Sequence, residues 1–274
     1  MNIAILGGTH GNEFTGIEVI NHLKKTQYSS PYHHYETFLA NPKAYKNKSR
    51  YIDSDLNRAF AENSTPLGYE KNRSQELKEL IHSKFDFLID LHSTTSNMGL
   101  TVILTKNDLT SIKAASYMQE KYPNLKIICI EDYKVPSPYT INLCPSGLII
   151  EVGPVAHNVK SFKFIKETIE LLMSLLSWDF NSEVSLKRTY YKSFEHVEFP
   201  KMKDFYISPQ IEQNMFPCLT KGSSLFENLE GDKILYHRQE ESFAFFVNEA
   251  SYQETNMAMT LAHKNFDLTN VLKA

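Results

Sequence analysis

His10 and Glu13 stand three residues apart just after the first apolar run, IAILGGTHGNE at 3–13, and His92 closes a second one, FDFLIDLH at 85–92. Two histidines and a glutamate are the ligands of a common catalytic zinc site, whose fourth position stays open for water. An HxxE pair alone is unspecific, and GGTHG also reads as an anion-binding turn ahead of a helix. It lacks the lysine of GxxxxGK[ST] and the spacing of GxGxxG. The glycines at 7, 8 and 11 permit a tight bend and close approach of backbone to a ligand. His92 alone reads equally as a strand-end histidine bonded to backbone. Asp90 lies two residues before it on the same strand face, where a carboxylate orients a metal ligand from behind or simply stabilises a turn.

Two further stretches carry chemistry. RYIDSDLNR at 50–58 holds two arginines, two aspartates and an asparagine in nine residues. A solvated loop is the default for such a segment. Arginine nevertheless suits planar, bidentate capture of carboxylates, so Arg50, Asn57 and Arg58 would form an anion clamp beside a cationic metal. Glu151 sits in LIIEVGP at 148–154, between an apolar run and a Gly-Pro stop. A carboxylate at the end of a buried strand is costly unless paired or functional. It reads either as a proton-transfer group or as one half of a salt bridge with an arginine.

The elements that must position these residues follow from periodicity. Strands are expected at 2–6, 34–41, 85–92, 99–105, 125–131 and 147–153, and helices at 14–25, 72–84, 111–122 and 161–180. The last helix would turn Ile165, Ile169, Leu172 and Leu176 inward. Pro42 stops the second strand. Strands that alternate with helices and are apolar on both faces describe an α/β fold: a mixed sheet covered by helices. Beyond residue 181 the text breaks into short strand-like pieces, SLKRTYYKS, DKILYHR and SFAFFVNEA, split by turns such as MFPCLTKGSS. A smaller, mainly β domain is expected there, giving a catalytic unit at 1–180 and a β unit at 181–274.

Composition narrows the function. The chain has 274 residues, 42% hydrophobic content and a net charge of −3. No basic block suggests a nucleic-acid partner. No run approaches the ~18 apolar residues of a membrane span. Three cysteines, Cys129, Cys144 and Cys218, lie far apart and form neither a CxxC pair nor a disulfide framework, which points to a reducing, cytoplasmic setting.

Taken together, GGTHGNEFTG, RYIDSDLNRAF, DLHSTTSNMG, IEVGP and FVNEASY resemble the aspartoacylase branch of the aspartoacylase and succinylglutamate desuccinylase family, within the zinc carboxypeptidase superfamily. The resemblance runs from residue 3 to about 252, in the family's order. It implies a carboxypeptidase-like α/β domain capped by the β domain, one zinc ion per chain, and hydrolysis of a small N-acyl amino acid, N-acetylaspartate or another N-acetyl amino acid. Desuccinylation and C-terminal peptide cleavage are the alternatives, and a metal-binding protein without catalysis is a third. The implied roles are His10, Glu13 and His92 as zinc ligands and Arg50 on the scissile carbonyl. Asn57 and Arg58 would hold the substrate α-carboxylate, Glu151 would be general base and acid, and Tyr252 would line the pocket from the C-terminal unit. Glu249 would support the same wall. Self-association into dimers or larger assemblies is also implied.

One departure stands out. Aspartoacylases acting on N-acetylaspartate carry an arginine upstream of the base glutamate, at the spacing where this chain has Ile141. No arginine occurs between Arg73 and Arg188. Lys134 would offer only a point charge and Tyr139 only a hydroxyl in its place. Acylases that take N-acetylated aromatic or other apolar amino acids share the remaining machinery.

Overall fold

A computed structural model describes residues 1–61, 63–130, 138–202 and 204–272. The elements in order are β1 (Asn2–Gly7), α1 (Phe14–Thr26), β2 (His34–Leu39), α2 (Pro42–Asn47), α3 (Gly68–Ile81), β3 (Phe87–Ser93), β4 (Gly99–Leu104), α4 (Leu109–Lys121), β5 (Lys126–Cys129), β6 (Ser146–Gly153) and α5 (Phe162–Leu176). There follow β7 (Tyr190–Glu198), β8 (Tyr206–Ile207), α6 (Pro209–Glu212), β9 (Cys218–Leu219), β10 (Ser224–Glu227), β11 (Lys233–Leu235), β12 (Ser242–Phe245) and β13 (Met257–Asn265).

The α/β expectation holds. A mixed sheet runs β2-β1-β3-β6-β4-β5-β7-β13-β12-β9. β1 pairs in parallel with β2 and β3, and β3 in parallel with β6, whereas β4 pairs antiparallel with β6. Every residue of β3 is buried, as a central strand covered by helices on both faces requires. One core layer joins these strands to α1, α4 and α5 through Val19, Ile20, Leu23, Ile112, Met118 and Leu172. The other carries Leu6, Leu56, Leu77, Leu88, Ile141 and Phe245.

The C-terminal strands do not form a sheet apart. β7 pairs in parallel with β5, and β13 and β12 extend the same sheet. Among the described residues, β11-β10-β8 form a second, three-stranded sheet. This continuity fixes the C-terminal segment against the strands that bear the polar pocket.

Several boundaries move. α5 ends at Leu176 rather than at 180, because Trp178 and Phe180 turn into the core, where Trp178 stacks on Tyr117 at 4.5 Å between ring centres. Its buried stripe is Phe164, Leu171, Leu172, Leu175 and Leu176, with Ile165 and Ile169 at the margin. β5 stops at Cys129, short of the expected 131. α3 begins at Gly68, ahead of 72, where Asp53 Oδ2 accepts a hydrogen bond from Tyr69 N at 2.6 Å. β2 ends at Leu39 rather than at 41, and Pro42 opens α2, whose first turn is capped by Asn41 Oδ1 accepting from Ala44 N at 3.3 Å. The sequence pattern does not single out β13 within the β unit: MAMTLAHKN is rich in residues of weak strand preference, and its conformation comes from pairing with β7 and β12. The β7 strand lies later than SLKRTYYKS suggests, at 190–198.

Candidate active site

The carboxyl ends of β1, β3 and β6 meet at one edge of the sheet, where open α/β sheets collect their functional groups. Gly8 turns the chain off β1 with φ +73°, a conformation L side chains rarely adopt. A Cβ on Gly11 would sit 2.1 Å from the Ala44 carbonyl carbon, so only glycine lets this turn pack on α2. The turn places His10 and Glu13 beside His92, and each of the three is 4% exposed. Glu151 is the β6 residue directly across from His92.

Among the described residues, His10, Glu13 and His92 form the cluster able to hold a metal ion, with one donor atom of each within 4.8 Å of the others. His10 Nδ1 lies 2.6 Å from Glu13 Oε1 and 3.2 Å from His92 Nδ1, and His92 Nδ1 lies 3.0 Å from Glu13 Oε2. The opposite ring nitrogens face carboxylates. His10 Nε2 is 3.1 Å from Asp55 Oδ1, and His92 Nε2 is 2.9 Å from Asp90 Oδ2, bent away from hydrogen-bond alignment. A carboxylate behind each ring fixes it with its other nitrogen toward the shared point. Asp90, fully buried, also accepts from Thr9 Oγ1 at 2.8 Å and from Thr140 Oγ1.

The electrostatics favour positive charge at this point. Burial opposes ionisation of Glu13, yet attraction to His10 and His92 holds its pKa well below the usual carboxyl value. Burial opposes a charged His92, yet Asp90 and Glu13 raise its pKa well above that of free imidazole. The same field attracts a divalent cation, and the N₂O donor set suits zinc.

Arg50 reaches the cluster from the loop after α2, which Gly11 N anchors by donating to Arg50 O at 3.1 Å. Its Nη2 donates to Asp55 Oδ2 at 3.1 Å and its Nη1 to Glu13 Oε1 at 3.4 Å. Burial opposes its charge, but Asp55 and Glu13 raise its pKa. Asn57 Oδ1 accepts from Thr140 N at 3.1 Å. Arg58 Nη1 donates to Asn57 O at 3.0 Å, and the guanidinium lies 5.1 Å from the Tyr139 ring centre. Burial raises the Glu151 pKa well above the ordinary carboxyl value; His92 and Arg50 pull it down, while Glu13 and Glu249 push it further up. Tyr252 packs on Phe246 with ring centres 5.5 Å apart, and burial raises its hydroxyl pKa, keeping it a protonated donor. Arg50, Asn57, Arg58, Tyr139, Glu151, Glu249 and Tyr252 line one cleft with His10, Glu13 and His92.

Residues 1–178 match the succinylglutamate desuccinylase/aspartoacylase catalytic domain. The chain belongs to that family. Residues 187–264 match the family's barrel-sandwich hybrid domain. A probable aspartoacylase of Trichodesmium erythraeum is 34% identical over 282 residues, covering 96% of each chain. An N-acyl-aromatic-L-amino acid amidohydrolase (carboxylate-forming) of Danio rerio is 30% identical, covering 96% of this chain and 92% of the relative. The crystal structure of murine aminoacylase 3 superposes with a TM-score of 0.88 at 27% identity, covering 97% of this chain and 95% of that one.

The structure brings ten sequence-derived site residues of this family member to the cleft, His10, Glu13, Arg50, Asn57, Arg58, His92, Tyr139, Glu151, Glu249 and Tyr252, with Asp90 behind His92. Ile141 is not there. It is fully buried in the core beneath a 3-10 turn over Thr140–Leu143, and Tyr139 is the residue of this segment that faces the cleft. Lys134 lies outside the described residues. Sequence reasoning missed Asp55, which touches both His10 and Arg50 and caps the Asn57 turn by accepting from Asn57 N at 2.8 Å. Its only signal is the aspartate two residues before Asn57, a local capping pattern. Thr9 and Thr140 carry no comparable signal.

Proposed function

We propose that the protein is a zinc-dependent amidohydrolase that removes the acyl group from a small N-acyl amino acid, giving the free amino acid and acetate or another small acid. The observation that carries this reading is Glu151, protonation-prone and buried, across one strand from a His-Glu-His donor set. His10, Glu13 and His92 would hold one zinc ion, which supplies Lewis acidity when bound. Asn57 and Arg58 hold the substrate α-carboxylate, which favours a free amino-acid end over an internal peptide bond. Arg50 supports negative charge developing on the acyl oxygen. Glu151 takes the proton of the attacking water and gives it to the departing amine. Tyr252 adds a hydroxyl donor to the opposite wall. Residues 1–180 are read as the catalytic unit and 181–274 as the unit that caps the cleft.

The names of the relatives and the fold of aminoacylase 3 support the same reaction class. No helix of the described residues is long and apolar enough to cross a membrane, which fits a soluble substrate met in the cytoplasm. The test is acetate release by zinc-loaded protein. Glu151→Ala should lower turnover ~10²–10⁴-fold with an unchanged circular dichroism spectrum. Wild-type rates in that variant would remove Glu151 from its role.

A further inference from the structure

Resting on the deacylase reading, we infer that Thr140 is a positioning residue that couples capture of the substrate α-carboxylate at Asn57 to metal binding at His10, Glu13 and His92. The observation behind this is a closed ring of contacts beneath the cleft. His10 Nε2 lies 3.1 Å from Asp55 Oδ1. The same Asp55 oxygen accepts from Asn57 N at 2.8 Å. Asn57 Oδ1 accepts from Thr140 N at 3.1 Å, and Thr140 Oγ1 donates to Asp90 Oδ2. That Asp90 oxygen lies 2.9 Å from His92 Nε2. The ring closes where His92 Nδ1 and His10 Nδ1 face each other at 3.2 Å, both beside Glu13. The carboxylates behind the two histidines are therefore not independent. Asn57 and Thr140 join them, and Thr140 reaches one side with its amide and the other with its hydroxyl.

Each contact in this ring restricts the next. Thr140 N occupies Asn57 Oδ1, so the part of the amide left for the cleft is the Nδ2 donor, the half from which a carboxylate accepts. The Thr140 hydroxyl has one proton to donate, and giving it to Asp90 steadies the carboxylate behind His92. Thr140, Asp90, Asn57 and both histidines are buried, where hydrogen bonds polarise one another and are stronger than in water. A carboxylate on Asn57 orders its amide against Thr140 and, through the hydroxyl, orders Asp90 and the His92 ring. A metal on His92 orders the same groups from the other end. Two ligands that order one network share the entropic cost, so each binds more tightly after the other. The enhancement is equal in both directions. Thr9 provides an internal comparison: its Oγ1 donates to the other Asp90 oxygen, Oδ1, at 2.8 Å, and among the described residues it makes no bond to Asn57.

The experiment measures zinc affinity by chelator competition in Glu151→Gln protein, with and without saturating N-acetylaspartate or N-acetylphenylalanine. The ratio of the two zinc Kd values is the coupling factor, and partial loss of folded protein does not change it. Zinc should bind more tightly with the compound present, by ~5–150-fold. Adding Thr140→Val should shrink the factor by about 2- to 30-fold, and Thr140→Ser, which keeps the hydroxyl, should restore it. Thr9→Val should weaken zinc binding and leave the factor as it was. Equal factors in the Thr140→Val and parent proteins overturn the inference, even where that variant binds zinc or ligand less tightly, because a merely structural role lowers affinity without moving the ratio. An equal fall in the Thr9→Val protein also overturns it, as does a parent factor of one with both compounds. Acetate release by zinc-loaded protein with Glu151 intact judges the deacylase reading separately. Turnover with a factor unmoved by Thr140→Val removes only the coupling role. No turnover, with a factor that Thr140→Val does shrink, removes only the hydrolysis.

Discussion

Asp55 shows how much a residue with no motif of its own can carry. It touches His10 Nε2 and Arg50 Nη2 with its two oxygens. Burial opposes its charge, but His10 and Arg50 hold its pKa far below the usual range, so it stays ionised wherever the protein is folded and functional. Carboxylates behind metal-bound histidines typically govern affinity by ~10–100-fold. Asp55→Ala is expected to weaken zinc binding by that factor in a chelator competition, and unchanged affinity would contradict the role. Glu151 makes a pH prediction. It serves as base only when ionised, and its pKa is raised. Activity should therefore fall as pH drops through that raised value, above the ordinary carboxyl pKa of ~4.3. A kcat/KM profile still flat through pH 4–5 would be inconsistent with this.

At the scale of elements, two buried glutamates hold the loops of the cleft. Glu70 of α3 is fully buried and accepts from Ile52 N at 2.8 Å, Asp53 N at 2.9 Å, Ser54 N at 3.3 Å and Asn41 Nδ2 at 3.1 Å. It thereby shapes the segment that delivers Arg50, Asn57 and Arg58. Removing it leaves buried donors unpaired, at about 1–3 kcal/mol. Glu70→Ala should lower the melting temperature by ~2–4 °C for each kcal/mol, together with a loss of activity; calorimetry with an unmoved transition would refute it. Glu249 ties the loop after β3 to the 3-10 turn bearing Tyr252. It accepts from Thr95 N at 2.8 Å, Thr95 Oγ1 at 3.0 Å, Ser96 N at 3.3 Å, Thr94 Oγ1, and Ser251 N at 3.2 Å. Glu249→Ala should loosen the Tyr252 wall and raise KM by about tenfold, the equivalent of ~1.4 kcal/mol, more than it lowers kcat. A fall in kcat at constant KM would point to a different role.

For the whole molecule, the continuous sheet makes the cleft a junction of distant segments. Chain positions from 10 to 252 converge there, so occupancy of the donor set should be felt by the global fold. A ligand bound only by the native state stabilises by ~2.7 kcal/mol at a concentration a hundredfold above its Kd. Chelation should abolish turnover and lower the melting temperature, and zinc should restore both. Full activity after exhaustive chelation would exclude the metal-dependent reading.

The local rules of the chain were enough to specify much of this. Apolar runs ending in His92 and Glu151, and the glycine turn before His10, fix their strand-end positions, because periodicity and glycine freedom act over a few residues. The motif order likewise carried the family. What local patterns do not contain is which strand lies beside which. Pairing of β3 with β6 sets Glu151 against His92, and pairing of β6 with β4 sets Ile149 beside Ile103. Ile141 illustrates the limit: the family resemblance implies a pocket arginine at its position, but the 3-10 turn rotates it into the core and presents Tyr139 instead. The strand β13 and the partners Asp55, Thr9 and Thr140 are likewise products of tertiary contact. The sequence by itself determined which chemical groups the protein has and roughly where each leaves its element. The tertiary structure decided which of them share a low-dielectric space, because that depends on sheet order and burial rather than on spacing along the chain.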